Sequence, residues 1–466
     1  MGTAFLDFTG EWIWGDDAET TVFAQGYGND RTVIFSFSLD TSKPSTSLAN
    51  RICNSFHAIE VSQTESFSNS TDMRAELWNA IRIVWPACLR NVSIGRMETV
   101  INLDSQDSTM EQVIWKAYSH PSFSRFLEIL ADPHFGRTTL NPSSHKVPFE
   151  YLIRYEQLGG HGCATRVRLG KDAKDFYVLK GIDFRTFLAQ MDDEDDSAIK
   201  HTVRGWHNSN MLLDTMPPYP NILPPPLFLI TAYHSNQELV CGTIQPLYKG
   251  GDSQRLPLEL KARWCANMAA ALLHTHRVAK TYHMDIDPGD FLIDKRQNLI
   301  MCDWEQTDAP STTLAPEADG TWDVMEEEDE VGSDGNPGGS RHKRPRLRYT
   351  KYDGPPRRNV PEDVLGDASW HVWNVFPPWN EAHPFALELA EVFSLGRTMW
   401  MLLRQPDMDF DNVDHPNDLE PDWGSSDDDV PPSWKYFVDQ CMAMDPNSRP
   451  DILEVSQFWE TESGRL

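Results

Sequence analysis

The sequence predicts an α+β protein built from two or three domains, and three observations carry that expectation. At 466 residues the chain is too long for a single hydrophobic core. Stretches with helical apolar spacing, at 77–85 and 258–278, stand beside strand-length apolar runs at 33–39, 177–180 and 239–244. Near the middle, YHMDIDPGDFLIDKRQNLIMCDWE places His283, Asp285 and Asp290 before one short β-rich run (291–293) and Asp303 after a second (299–301). Acids at the ends of two short paired strands suit phosphoryl transfer, which needs a base at the attacking hydroxyl and carboxylates for a divalent cation.

Composition narrows the classes. The chain is 40% hydrophobic with 16 Trp, so it is globular and able to bury a sizeable core. A formal charge of −29 argues against nucleic-acid binding, which needs clustered Lys and Arg, and favours basic partners for the acidic surface. Seven cysteines with no C-x-x-C pair suggest reduced thiols and a cytoplasmic or nuclear location. The N-terminus shows neither a basic region nor a long apolar run, so no signal peptide is expected. No run of eighteen apolar residues is present, and no membrane partner is expected.

Residues 1–145 form an N-terminal domain of unknown function, α/β or α+β. Val33, Phe35, Phe37 and Leu39 alternate as in a half-buried strand. Leu77, Ala80, Ile81, Val84 and Trp85 keep helical spacing until Pro86, where the helix is expected to stop. Ser108 and Glu111 form a capping-box pattern, predicting a helix through Val113, Trp115 and Ala117. A further helix is expected over 123–130. No catalytic constellation stands out in this region.

From residue 147 onward the motifs fall into an order. Gly160 and Gly162 sit in LGGHGCATRV, with Val167 five residues beyond; closely spaced glycines let a hairpin approach phosphates. Tyr177-Val178-Leu179-Lys180 ends in a strand-end lysine. A helix is expected over 201–213, before Tyr219-Pro220-Asn221-Ile222. APE (315–317), EVFSLG (391–396) and DPNSRP (445–450) follow the acids.

Together these motifs resemble the protein-kinase-like superfamily, over about 147–460. The resemblance implies a two-lobed fold: a small β-rich lobe at 147–250 and a larger helical lobe at 251–460. A charged insertion at 318–369 would be partly disordered. It implies transfer of the ATP γ-phosphate to Ser or Thr hydroxyls of a protein substrate, with ATP and Mg²⁺ as cofactors. Asp285 falls on the catalytic base, Asp290 and Asp303 on the metal ligands, and Lys180 on the α/β-phosphate anchor. Gly160 and Gly162 fall on the phosphate loop, and Val167 and Val178 on the adenine pocket. Glu317 and Arg449 are expected to form a buried ion pair. TLAPEADGTWDV and AEVFSLGRTMWMLL are similar to kinase-like proteins of filamentous fungi.

The departures matter as much as the matches. Met284 replaces the Arg of H-R-D, and the segment before Glu317 is short, which implies no activation-loop switch. Asp287 and Glu305 make the local text similar to aminoglycoside and choline kinases. The acid expected to pair with Lys180 is replaced by Asn210, with Asp214 nearby. The alternatives are therefore an ATP-binding scaffold without catalysis, or a small-molecule phosphotransferase. Finally, 341–348 resembles a basic nuclear-localisation signal.

Overall fold

The computed structural model describes the chain except for residues 1–7, 17–19, 29–30, 62–66, 89, 91–95, 106–112, 132–144, 159–163, 171–172, 192–196, 235–236, 249–255, 305, 307–310, 328–343, 355–375, 407–412, 414–415 and 425–428. It is a mixed α+β fold in two compact units. One holds residues 1–207 and 226–247, the other 208–225 and 248–466.

The first unit begins with a five-stranded sheet in sequential order: β1 (Thr9–Gly15), β2 (Thr21–Gly28), β3 (Arg31–Ser38), β4 (Thr99–Ser105) and β5 (Val113–Ser119). Neighbours run antiparallel except β3 and β4, which are parallel. The parallel step needs a crossover, supplied by helices α1 (Leu48–Val61) and α2 (Phe67–Cys88). Strand alternation then feeds two cores at once. Val33, Phe35 and Phe37 pack with Ile52, Leu77 and Trp85 of the two helices, while Ile34 and Val100 join a second cluster on the other face. This corrects the half-buried reading of β3: it is a central strand, covered on both sides.

Two further expectations change here. Val113–Ser119 is a strand rather than a helix, and the Ser108/Glu111 pattern lies outside the described residues. The run VIWKAYS is β-branched and aromatic, and Val113, Trp115 and Ala117 lie half-buried between exposed Ile114 and Lys116, a period of two. Helix α2 continues through Pro86 to Cys88, because a proline this close to the end removes only the bond to Arg82. Helix α3 (Phe123–Ala131) forms where expected.

The six-stranded sheet has the order β6-β10-β11-β9-β8-β7. Its strands are β6 (Lys146–Pro148), β7 (Leu152–Gln157), β8 (Ala164–Leu169), β9 (Tyr177–Gly181), β10 (Phe228–His234) and β11 (Gln237–Pro246). Strands β9 and β11 approach so closely that a Cβ on Gly181 would stand 2.4 Å from the Cα of Gly242. One face of this sheet, including Val167, Leu179 and Ile244, packs on α3, on α4 (Phe184–Gln190) and on the start of α5 (Ser197–Thr215). Phe126, Phe184 and Phe187 meet with ring centroids 5.4–5.6 Å apart. The N-terminal sheet contributes Phe23, Ile34 and Val100 to the same cluster, so both sheets belong to one unit.

The second unit is mainly helical; its first long helix after residue 248 is α6 (Leu258–His274). A π-helical turn, Thr275–Ala279, follows it and ends the predicted 258–278 helix with an extra residue per turn. The hairpin β12 (Phe291–Ile293) and β13 (Leu299–Met301) comes next, with Asn221 donating to the Leu299 carbonyl at 2.8 Å. Part of the expected disordered insertion is ordered: β14 (Trp322–Glu327) pairs with β15 (Arg346–Lys351). Alternation explains it, since Val324 and Leu347 are buried while Met325, Arg346 and Arg348 are exposed. Residues 328–343, between them, lie outside the described residues. Helices α7 (Phe376–Ala382), α8 (Pro384–Arg404), α9 (Pro432–Cys441) and α10 (Ile452–Arg465) complete the unit. Buried on nearly every side, α8 is its central element. Trp379 packs into this core, while Trp370 and Trp373 lie outside the described residues. No helix among the described residues is long and apolar enough to cross a membrane.

Candidate active site

The acids of the second unit stand on a loop fastened by buried hydrogen bonds. His283 is fully buried; its Nε2 donates to the Cys302 carbonyl at 2.6 Å, and its Nδ1 accepts from the Asp285 N–H at 3.3 Å. That arrangement requires the proton on Nε2. It also ties the start of the loop to the residue before Asp303. Cys302 donates its N–H in turn to the Asp290 carbonyl at 2.8 Å. Both ends of the loop are thus stitched to the end of β13.

Helix α8 holds the loop on either side of Asp285. The buried carboxylate of Glu391 accepts the Met284 N–H at 2.5 Å. Two turns on, the Thr398 hydroxyl shares its proton between the Ile286 carbonyl at 3.2 Å and the Ser394 carbonyl of its own helix at 3.0 Å. Glu391 also accepts from His276 Nε2, which the π-helical turn presents inward. Glu388 lies on the other side of that ring, 3.9 Å from Nδ1, and pairs with Arg277 at 2.9 Å. Burial pushes the Glu388 carboxyl above its ordinary range, against the pull of His276 and Arg277. Met284 and Asp303 both adopt left-handed backbone, with φ of 69° and 59°. For residues other than glycine this costs about 1–3 kcal/mol each, which the surrounding bonds offset.

Asp285, Asp287 and Asp290 bring carboxylate oxygens within 4.8 Å of one another. Asp290 is buried and accepts the Asp287 N–H at 2.9 Å, while Asp287 accepts from Gly289. The reciprocal bonds cap the turn Pro288–Asp290 and fix both acids. Sequence reading missed Asp287 as a member of this group, reading it only as a substituted position. Its signal was local: an acid before Pro-Gly-Asp at capping spacing. Hard carboxylate oxygens fit a small divalent cation such as Mg²⁺. Asp303 is half-buried at the end of β13, one residue beyond the doubly bonded Cys302.

Glu317 and Arg449 form the expected buried pair. Nη2 donates to Oε2 at 3.0 Å and Nη1 to Oε1, while Nη1 also reaches the Leu389 carbonyl at 3.1 Å.

In the first unit, Lys180 and Val178 are half-buried on β9. The register places them on one face with Ala164 and Arg166 of β8, and with Thr243 and Gln245 of β11. Val167 pairs with Tyr177 on the opposite face and is fully buried in the helix-covered core. This corrects its expected place in an adenine pocket with Val178: residues directly opposite share a face, and Arg166 is the one opposite Val178. The Lys180 carbonyl accepts from Trp206 Nε1 of α5 at 3.3 Å and from the Thr243 hydroxyl at 3.1 Å. Asn210, on the same helix, is buried. Gly160, Gly162 and the 249–255 segment lie outside the described residues.

No protein-family model matches the chain, and no curated protein is significantly similar to it. What fold and site define is an α+β chain with clustered acids on a buried hydrogen-bonded scaffold.

Proposed function

We propose that the chain is a phosphotransferase of the protein-kinase type, moving the γ-phosphate of ATP to a Ser or Thr hydroxyl of a protein. The observation that carries this reading is the double anchorage of the Asp285 loop. Glu391 holds the residue before Asp285 and Thr398 the residue after it, so the carboxylate stands on a backbone fixed by helix α8. A base that must meet a hydroxyl at hydrogen-bond distance gains from such positioning. Asp285 would orient the acceptor hydroxyl and take its proton. Asp290 and Asp303 would hold Mg²⁺, with Asp287 close enough to contribute. When bound, the cation neutralises charge on the phosphates. Lys180 would hold the α- and β-phosphates. The Glu317–Arg449 pair supports a protein-kinase type over a small-molecule phosphotransferase, through the motifs in which it sits.

A second reading, a nucleotide-binding scaffold without turnover, is favoured by the buried Asn210 where an acid is expected and by the face that Val167 occupies. Purified protein incubated with Mg-ATP and protein acceptors separates the two. Transfer above the level of an Asp285→Ala variant supports the enzyme. ATP-dependent thermal stabilisation without transfer supports the scaffold. Absence of any stabilisation by Mg-ATP sinks both.

A further inference from the structure

Strands β8, β9 and β11 carry two rows of side chains on the sheet face of Lys180. Ala164, Lys180 and Thr243 form one row, and Arg166, Val178 and Gln245 the next. Residues two apart on a strand are separated by about 7 Å, so the rows lie side by side. All six residues belong to the first unit.

Gln245 is the informative member. It is 5% exposed, one residue before the end of β11, and among the described residues nothing donates to its enclosed Oε1. A buried acceptor without a donor lowers stability, and an apolar side chain of the same length would avoid that cost. The neighbours on this face do not supply the donor. Val178, directly opposite, is apolar and half-buried. Arg166, across Val178, turns its guanidinium to Glu156 at 2.8 Å and over Phe176 at 4.6 Å. The Thr243 hydroxyl donates to the Lys180 carbonyl at 3.1 Å. The carboxamide therefore suits a donor that comes from outside the chain.

We propose that Gln245 reads the base of the bound nucleotide, its Oε1 accepting from the exocyclic amine of a 6-aminopurine. The inference rests on the reading of Lys180 as the phosphate anchor. Phosphates at the row of Lys180 bring the base, one ribose away, within reach of the row of Val178 and Gln245. Val178 offers an apolar surface to the ring plane, and Gln245 meets its edge. A carboxamide suits that edge, because its oxygen accepts from the amine while its nitrogen donates to the adjacent ring nitrogen. Selectivity comes from burial: a purine without the amine leaves the enclosed oxygen unpaired.

The test is calorimetry of the full chain with Mg²⁺ and either ATP or purine riboside triphosphate, which lacks only the 6-amino group. Wild type should bind ATP about tenfold more tightly, the value of one hydrogen bond to a buried acceptor. Gln245→Met keeps the length of the side chain but removes both polar ends, and should bind the two ligands alike, at the weaker affinity. Without nucleotide its Tm should equal or exceed that of wild type, because an unpaired buried acceptor is gone. Equal binding of the two ligands by wild type, or a preference that survives in Gln245→Met, would overturn the assignment. So would a lower Tm in both Gln245→Met and Gln245→Leu, which would show that the oxygen is satisfied within the fold. Lys180→Met should weaken both ligands by the same factor and leave the preference intact. If wild type fails to bind Mg-ATP at all, or Lys180→Met weakens neither ligand, the failure lies with the nucleotide reading on which the inference rests.

Discussion

Glu317 and Arg449, 132 residues apart in the chain, meet as a two-armed buried ion pair that joins the segment after the acid cluster to the last helices. Arg449 is 1% exposed and Glu317 6%. The guanidinium also donates to the carbonyls of Leu389, at 3.1 Å, and Ala443, at 2.7 Å, so three parts of the second unit depend on it. Arg449→Leu would leave the Glu317 carboxylate buried without its partner. The expected loss is about 3–5 kcal/mol in urea unfolding. Arg449→Lys should recover only part of it, because an ammonium cannot serve both carboxylate oxygens and two carbonyls in a fork. A loss below about 1 kcal/mol, the scale of an exposed pair, would show that the pair is dispensable.

The basic stretch at 341–348 is partly committed to structure. Arg344 contacts Asp451 at 3.1 Å and Glu454, and donates to the Arg449 carbonyl at 3.3 Å. Asn447 bonds both the N–H and the carbonyl of Leu347, at 2.8 and 3.0 Å. Arg344→Ala should therefore lower stability by about 1 kcal/mol, as a half-exposed network does. A nuclear-import role has to be tested on Arg346 and Lys343 instead. If Lys343→Ala/Arg346→Ala shifts a tagged protein to the cytoplasm with an unchanged Tm, the stretch is a signal. Unchanged distribution would leave it as a structural clasp.

Acid stability should carry the signature of His207. Burial pushes this ring down to about 4, from an ordinary value of 6.5. Between those values the unfolded chain binds a proton that the folded one does not, so stability falls as pH drops from 6.5 toward 4. The slope is at most about 1.4 kcal/mol per pH unit, or about 3 kcal/mol over the interval. Below about 4 both states are protonated and the loss stops. His207→Phe keeps a ring beside Trp206, 4.7 Å away in the native chain. The variant, whatever its stability near pH 7, should show a flatter decline between 6.5 and 4. An unchanged pH profile would contradict the burial effect.

How far the sequence could be read depended on whether the deciding forces were local. Helix α3 and the pair Glu317–Arg449 were legible, because apolar spacing specifies the one and a motif the other. Strand β5 was misread because the Ser108/Glu111 capping pattern was given more weight than the two-residue period of Val113, Trp115 and Ala117. The β14–β15 pair was hidden by its charge: few of its residues, among them Val324, Leu347 and Tyr349, pack on the core, and the bonds from Asn447 come from about a hundred residues away. Val167 was misplaced because its face depends on pairing register, and a one-residue difference sends a side chain to the opposite side.

Trp206 tethers helix α5 to the strand of Lys180, and it offers the last test. Its indole N–H donates to the Lys180 carbonyl at 3.3 Å, beside the Thr243 hydroxyl at 3.1 Å. Together they fix the backbone from which the lysine side chain starts. Trp206→Phe keeps an aromatic ring but removes the donor, and should lower stability by about 1 kcal/mol or somewhat more. If Lys180 holds nucleotide phosphates, a looser β9 also weakens Mg-ATP binding. Its dissociation constant should then rise severalfold, about the effect of 1 kcal/mol. Thr243→Val removes the other donor and serves as the comparison. The double variant should exceed the sum of the singles, because each remaining bond partly compensates for the loss of the other. Strictly additive losses of stability with unchanged Mg-ATP affinity in all three variants would mean that the tether is structural and that Lys180 does not hold the nucleotide.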